Sequence, residues 1–328
     1  MRRVAGFGIS PIARQYAWVR RTQQLGIFAS AAVVIVGGAT LVGLGMRADG
    51  SDSGGAGGGV LPSALGFGDD PPSPSPTGPS PAELAEQERA KRVKALDAAL
   101  KKYAATVPEF SVAVLDKKTG QRYSYRGTEK YDTASIVKVQ VLACTLLKAQ
   151  DAGRDLSSAE LALAKPMIRL SDNTATTALF TRIGGKSAVG KCNRRLGLTQ
   201  TTVNTAWGLT KTTVNDQVKL LSELVDTKGP LDSGSRKVAF GLMNTVDDAQ
   251  DWGVPSVAKT GETTTVKNGW DTRSADGGLW AVNTIGRVTS GADVNVSIAV
   301  LSHNNQSMDA GIAEVEKVAQ LTRQNLKY

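Results

Sequence analysis

Ser135-Ile136-Val137-Lys138 sets a hydroxyl and an amine three residues apart at the start of an apolar run. On a helix those positions share one face, one above the other. An amine in apolar surroundings gives up its proton readily, because burial disfavours the charged form. It can then take the proton of the serine and make it a nucleophile without histidine. That route matters here, since the chain has a single histidine, His303, and two cysteines, Cys144 and Cys192. These counts argue against a His-based metal centre, a Cys-rich zinc site, a disulfide scaffold and a Ser-His-Asp triad. Neither a metal nor a cofactor is expected. The same spacing also suits a capping serine with a surface lysine, and Ser256-Val257-Ala258-Lys259 matches it equally well. Lys138 is set apart by its surroundings, IVKVQVLACTLLKAQDA, which are apolar nearly all round.

Two more polar triplets could complete a site. Ser171-Asp172-Asn173 stands in a short turn between two helical runs, where Asp and Asn also serve simply as caps. Lys259-Thr260-Gly261 ends the run Val254–Ala258, read as part of a strand over Pro255–Gly261. A glycine beside a cation and a hydroxyl would let a substrate backbone lie along that strand edge. Each triplet has a second match, Ser302-His303-Asn304 and Lys118-Thr119-Gly120, so neither is specific alone.

The elements that must position these residues read as follows. A charged helix runs over Glu83–Ala104, acids early and lysines late, as the helix dipole prefers. Strands are expected at Phe110–Asp116 and Gln121–Arg126, and a buried helix at Ile136–Ala152, ended by Gly153. Ser157-Ser158-Ala159-Glu160 reads as a capping box, with Pro166 limiting or kinking the helix it opens. Further helices fall at Thr174–Ile183, Ser187–Leu196 and Val214–Thr227. Strands follow at Pro255–Gly261, Leu279–Val288 and Asn295–Ser302, then a last helix at Ala310–Leu326. Strands at both ends with helices between them predict an α+β fold, an antiparallel five-stranded sheet flanked by helices plus an all-helical half.

The order Ser-x-x-Lys, Ser-Asp-Asn, Lys-Thr-Gly resembles the serine β-lactamase and penicillin-binding protein superfamily, most of all the class A β-lactamases. The resemblance covers roughly residues 105–328. It implies that Ser135 attacks the carbonyl of a β-lactam or a D-alanyl peptide of peptidoglycan, with Lys138 as the acylation base. Ser171 would relay a proton to the leaving nitrogen, and Asn173 would bind the substrate's side-chain amide. Lys259 and Thr260 would hold its carboxylate. The backbone N–H groups of Ser135 and Glu262, the residue after Gly261, would form the oxyanion hole. Trp270, after Lys267-Asn268-Gly269, is a candidate for the cleft rim near the Lys259 strand.

Two departures from that family matter. Ser135 and Ser171 are only 36 residues apart, which implies a lower cleft wall. Class A enzymes also use a Glu in an Ω-shaped loop to activate the deacylating water. Here no Asp or Glu occurs from Thr174 to Asn215, and the matching segment, Leu198–Lys211, offers only hydroxyls and amides. Loss of a positioned base typically costs about 10²–10⁴-fold, so slow loss of the acyl group is expected. If another residue does activate water, Glu262 and Asp172 are the first candidates. The alternatives are an ordinary β-lactamase, a D-Ala peptidase, and a binding or sensing module with little chemistry.

The net charge is +9, of which the first 48 residues, with six arginines and no acid, supply +6. Residues 49–82 carry four aspartates and no base, and the rest of the chain carries +7, which suits an anionic polymer such as a cell wall as neighbour, or simply a soluble surface. No cluster of basic and aromatic residues points to nucleic acid. After a 1–24 segment expected in the cytoplasm, the uncharged run Leu25–Met46 is long enough, at about 30 Å, to span a bilayer. Arg20 and Arg21 before it and Asp49 and Asp52 after it place the N-terminus inside. A cleaved signal peptide is the rival reading. Residues 47–82, Gly-rich and then Pro-Ser-rich, read as a disordered linker holding the 83–328 domain off the membrane. Cys144 and Cys192 are taken as two buried thiols, with a disulfide as the alternative. His303 is expected to be structural.

Overall fold

The structure, a computed structural model, describes residues 78–291 and 293–328. The expected membrane segment 25–46 and residues 47–77 of the expected linker lie outside the described residues. Among the described residues no helix is long and apolar enough to cross a membrane.

Helix α1 (Pro81–Ala104) begins two residues before its expected start. Ser80 Oγ accepts from the Glu83 N–H, the Glu83 carboxylate reaches back to the Ser80 N–H, and Pro81 fills the first turn. Strands β1 (Phe110–Asp116) and β2 (Arg122–Tyr125) form a hairpin through the Lys118-Thr119-Gly120 turn. A short β3 (Tyr131–Asp132) leads into a tight 3-10 turn, Ala134–Ile136, and then α2 (Val137–Asp151). The helical half continues with α3 (Ser158–Arg169), α4 (Asn173–Ile183) and α5 (Gly185–Arg195). After β4 (Lys211–Thr212), which pairs with β3, come α6 (Val214–Glu223) and α7 (Ser233–Met243). The chain closes with β5 (Thr263–Arg273), β6 (Leu279–Ser290), β7 (Val294–Asn305) and α8 (Met308–Leu326).

The five-stranded sheet runs β2-β1-β7-β6-β5, antiparallel throughout, as expected. β1, β6 and β7 are buried on both faces along most of their length, which fits the apolar runs of β1 (FSVAVL) and β7 (IAVL). Helices α1 and α8 pack together, with α8 against β6 and β7, while α6 packs against β1 and β7. β5 is an edge strand, and the Ala134–Ile136 turn packs against it and against β6.

One expected strand is absent, one helix continues through a proline expected to limit or kink it, and one helix was not expected. Pro255–Gly261 is not a strand: Val254–Val257 is a 3-10 turn with Pro at its start, and the strand begins only at Thr263. Two successive turns, closed by the Ala258 N–H to the Pro255 carbonyl and the Glu262 N–H to the Lys259 carbonyl, take up the run expected to be extended. Helix α3 runs past Pro166 to Arg169 without stopping there. Helix α7 went unread, although Asp232 caps it by accepting from the Ser235 N–H at 2.7 Å.

Cys144 on α2 and Cys192 on α5 form a disulfide, their Cα atoms 5.7 Å apart, so the expectation of two free thiols is corrected. The buried helix and the edge of the helical half bring them together, which 48 residues of intervening sequence conceal. The bridge closes a long loop and should stabilise the fold by about 2–4 kcal/mol. Replacing both residues by serine is expected to lower the melting temperature by several degrees. An unchanged melt would contradict that.

A second prediction concerns Glu314 on α8. It is 2% exposed, and neither carboxylate oxygen has a hydrogen-bond partner among the described residues. Burial pushes its pKa up to about 8 from an ordinary 4.5. The folded chain thus holds this proton more tightly than the unfolded chain. Stability is lost as pH rises from about 4.5 to about 8. Glu314→Gln should match the wild type in melts near pH 4 and exceed it increasingly up to pH 8. An equal difference at all pH values would contradict that origin.

Candidate active site

Ser135 sits in the 3-10 turn that feeds α2, and both flanking features force it inward. Ala134 before it has φ 44°, a left-handed conformation rare for alanine. Asn283 of β6 donates Nδ2 to the carbonyls of Asp132 (2.9 Å) and Thr133 (3.2 Å), pinning the approach to the turn against the sheet. Asp132 is further held by ion pairs to Lys211 of β4 and Arg273 of β5.

One turn on, Lys138 is fully buried, its Nζ 2.8 Å from Ser135 Oγ. The same nitrogen lies 2.6 Å from the Ser171 carbonyl, 3.0 Å from Ser171 Oγ and 2.8 Å from Asn173 Oδ1. Ser171 precedes α4 with φ 58°, and this left-handed turn aims its side chain back at α2. Left-handed backbone at Ser171 and at Ala134, the residue before Ser135, is of the kind that clusters where structure serves a site. Asp172 is the cap of α4, accepting from the Ala175 N–H at 2.6 Å, while its neighbours do the pointing.

The third contributor is Lys267 of β5, also fully buried. Its Nζ donates to Ser171 Oγ (3.0 Å), Gln250 Oε1 (3.2 Å) and the Asn268 carbonyl (2.8 Å). Ser171 Oγ is therefore shared by two lysines. Burial lowers the pKa of Lys138 well below the ordinary lysine range, and the nearby Lys267 charge lowers it further, against a smaller opposing pull from Asp172. Burial brings Lys267 down to about 7. Burial and a second amine in the same pocket both favour the neutral form of Lys138 over the charged one.

β5 also approaches Ser135 with its backbone. A Cβ at Gly269 would stand 2.8 Å from the backbone nitrogens of Ser135 and Ile136 and from the Thr133 carbonyl. Only glycine lets the strand pass so close. Asn268 points the other way, donating Nδ2 to the carbonyls of Gln250 (2.8 Å) and Trp252 (3.0 Å).

The structure brings Ser135, Lys138, Ser171 and Asn173 together. It does not bring Lys259, Thr260, Gly261 or Glu262 to them. Those four fold into a turn ahead of β5, with the first three exposed. The Glu262 N–H donates to the Lys259 carbonyl (3.0 Å), the Lys259 N–H donates to the Glu262 carboxylate (2.8 Å), and that carboxylate pairs with Arg323 of α8 (2.5 Å). The lysine and glycine on the strand are Lys267 and Gly269, eight residues later. Trp270 is not at an open rim either: it is buried, its ring 5.9 Å from that of Trp252. Residues 263–273, TTTVKNGWDTR, carry a β-branched run around a lysine, the signal that could have located this strand. Ser256 hydrogen-bonds to the Gly253 carbonyl (2.7 Å), and His303 pairs with Glu109 (2.9 Å), a structural place as expected.

The segment Leu198–Lys211 does reach the site, through a 3-10 turn at Trp207–Leu209. The Trp207 ring centroid is 5.1 Å from Lys138 Nζ, and its Nε1 donates to Thr177 Oγ1 of α4 at 3.2 Å.

Compared with known proteins, residues 89–161 and 150–326 match a profile described as the beta-lactamase enzyme family. The LppW protein of Mycobacterium tuberculosis, designated a lipoprotein, is 30% identical over 168 residues, 49% of this chain and 53% of LppW. The chain thus spans about half the length of the curated relatives it matches. Among solved structures, the TLA-1 extended-spectrum β-lactamase superposes with TM-score 0.65 at 18% identity, over 73% of this chain and 100% of that one. A β-lactamase of Xanthomonas campestris pv. campestris gives 0.63 at 18%, over 72% and 99%. Those identities speak for the fold alone.

Proposed function

The chain belongs to the beta-lactamase enzyme family, and from that premise we propose that it is an acyl-serine hydrolase which acylates quickly and deacylates slowly, behaving more like a penicillin-binding protein than a resistance enzyme. The observation that carries this reading is the buried Lys138 amine 2.8 Å from Ser135 Oγ, in a site whose loop supplies no carboxylate.

In the forward step Ser135 Oγ attacks the carbonyl carbon of a β-lactam or D-alanyl peptide, and its proton passes to neutral Lys138. The carbonyl oxygen gathers negative charge. The N–H groups of Ser135 and of Trp270, the residue after Gly269 on β5, are the proposed donors to it. Such pre-aimed donors are typically worth about 3 kcal/mol of barrier each. The carbon–nitrogen bond then breaks. Ser171 Oγ gives its proton to the leaving nitrogen and is reprotonated from Lys138, which returns to neutral. Lys267 takes the role first expected of Lys259, holding Ser171 and presenting positive charge to the substrate carboxylate. Asn268 cannot supply the hydroxyl expected of Thr260, because its donors are spent on Gln250 and Trp252. Asn173, exposed beside Lys138, is placed to meet the substrate's side-chain amide.

The designation of LppW as a lipoprotein and the apolar run at residues 25–46 together support a membrane-anchored domain on the outer face, within reach of peptidoglycan. A D-Ala peptidase is the second reading, favoured by the same missing carboxylate. Fluorescent penicillin labelling of wild type and Ser135→Ala tests the proposal. Wild type should be labelled covalently and the variant not. Equal labelling of both would move the nucleophile elsewhere, and reversible binding by both would point to a sensing module.

A further inference from the structure

The Trp207 indole lies over the amine of Lys138, on a turn locked at both sides. Its Nε1 is tied to Thr177 of α4, while the Gly208 carbonyl accepts from Thr133 Oγ1 (3.3 Å) and the Thr210 carbonyl from the Thr133 N–H (2.9 Å). The turn is thus clamped between α4 and the residues leading into Ser135. Once the leaving nitrogen has taken its proton, Lys138 is again neutral and again beside the reacting carbon. It is then a base that a water could use. The ring occupies space above that nitrogen, and an indole face offers water no strong acceptor.

We propose that Trp207 is a positioning residue that shields Lys138 from water in the acyl-enzyme and thereby sets the lifetime of the covalent adduct. This rests on the acyl-serine reading above. Two features of the loop act together: it lacks a carboxylate to activate water, and it covers the amine that hydrogen-bonds to Ser135 Oγ. Hydrolysis, when it occurs, forms a bond from water oxygen to the acyl carbon, returns a proton to Ser135 Oγ, and breaks the ester.

The test is a pulse of benzylpenicillin followed by removal of free drug, with intact mass recorded over time for wild type, Trp207→Ala and Trp207→Phe. Whatever its acylation rate, the alanine variant should lose the adduct it has formed about tenfold faster than wild type or more. The phenylalanine variant keeps a ring in place and should stay near wild type. It also serves as a second comparison if the alanine variant folds poorly, with Trp207→Leu expected to fall between. A merely structural role is separated by pH. In Trp207→Ala, adduct loss should quicken as pH rises through the titration of Lys138, which Lys267 and Asp172 face, whereas in wild type it should be slow throughout. Equal adduct lifetimes in all variants would overturn the shielding role while leaving the acyl-enzyme reading intact. A wild type that never acquires the adduct would overturn both.

Discussion

Lys138→Ala is expected to leave a folded chain that hardly labels with penicillin. The acylation rate should fall by about 10³–10⁴-fold, the upper part of the range for losing a positioned general base. That corresponds to about 4–5 kcal/mol of barrier. The size follows from geometry: Lys138 Nζ is the one amine within 3 Å of Ser135 Oγ among the described residues, and it also lies 3.0 Å from the relay Ser171 Oγ. Neither His303, held by Glu109, nor Lys267, held by Ser171, Gln250 and the Asn268 carbonyl, contacts the nucleophile. The wild-type pH profile should follow the same amine. Because burial and the Lys267 charge hold its pKa well below the ordinary lysine range, labelling should persist at neutral pH and fall away as acid protonates it. A cooperative melt and an unchanged circular dichroism spectrum check folding. A Lys138→Ala variant that labels at the wild-type rate would remove the base from the account.

Gly269→Ala is the second large effect, and its comparison with Gly261→Ala decides which glycine belongs to the site. At Gly269 a methyl group would meet three backbone atoms at 2.8 Å, all of them in the turn that carries Ser135. Backbone cannot swing aside as a side-chain tip can, so β5 and the turn must separate. Displacement of reacting groups by about 1 Å can cost about 10²-fold. Here the oxyanion donors shift at the same time, so acylation should fall by about 10²-fold or more. At Gly261 a methyl group meets nothing within 4 Å, and the only cost is the left-handed backbone, φ +85°. That strain is worth about 1–2 kcal/mol of stability and should leave labelling intact. If Gly261→Ala abolished labelling and Gly269→Ala did not, the turn at 259–262 would regain its place in the site.

Much of the architecture could be read from local chemistry. Ser157 and Glu160 announced the start of α3, Gly184-Gly185 the break between α4 and α5, and FSVAVLD the strand β1. Ser135, Lys138, Ser171 and Asn173 stood out only through the order of their motifs, and each lies at a helix start or in the turn before it. The third part of the site was not. Lys259-Thr260-Gly261 carries the expected letters, whereas Lys267-Asn268-Gly269 carries the strand. A triplet records residue types, while the pairing of β5 with β6 and the close approach of Gly269 to Ser135 are contacts between distant segments. The same reason hid the disulfide between α2 and α5 and the reach of Trp207 to Lys138, which depends on how a 14-residue loop folds back over α2.

A buried pair of lysines is expensive for the fold, since each prefers water when charged. Their retention around one serine hydroxyl fits a site kept for chemistry. The most direct measurement is a time course of intact mass after mixing purified residues 78–328, or the full chain, with benzylpenicillin, followed by peptide mapping. The account predicts one penicilloyl group per chain, on the peptide containing Ser135, still attached after minutes. Steady hydrolysis of the drug with no adduct detected, or an adduct on a peptide lacking Ser135, would contradict it.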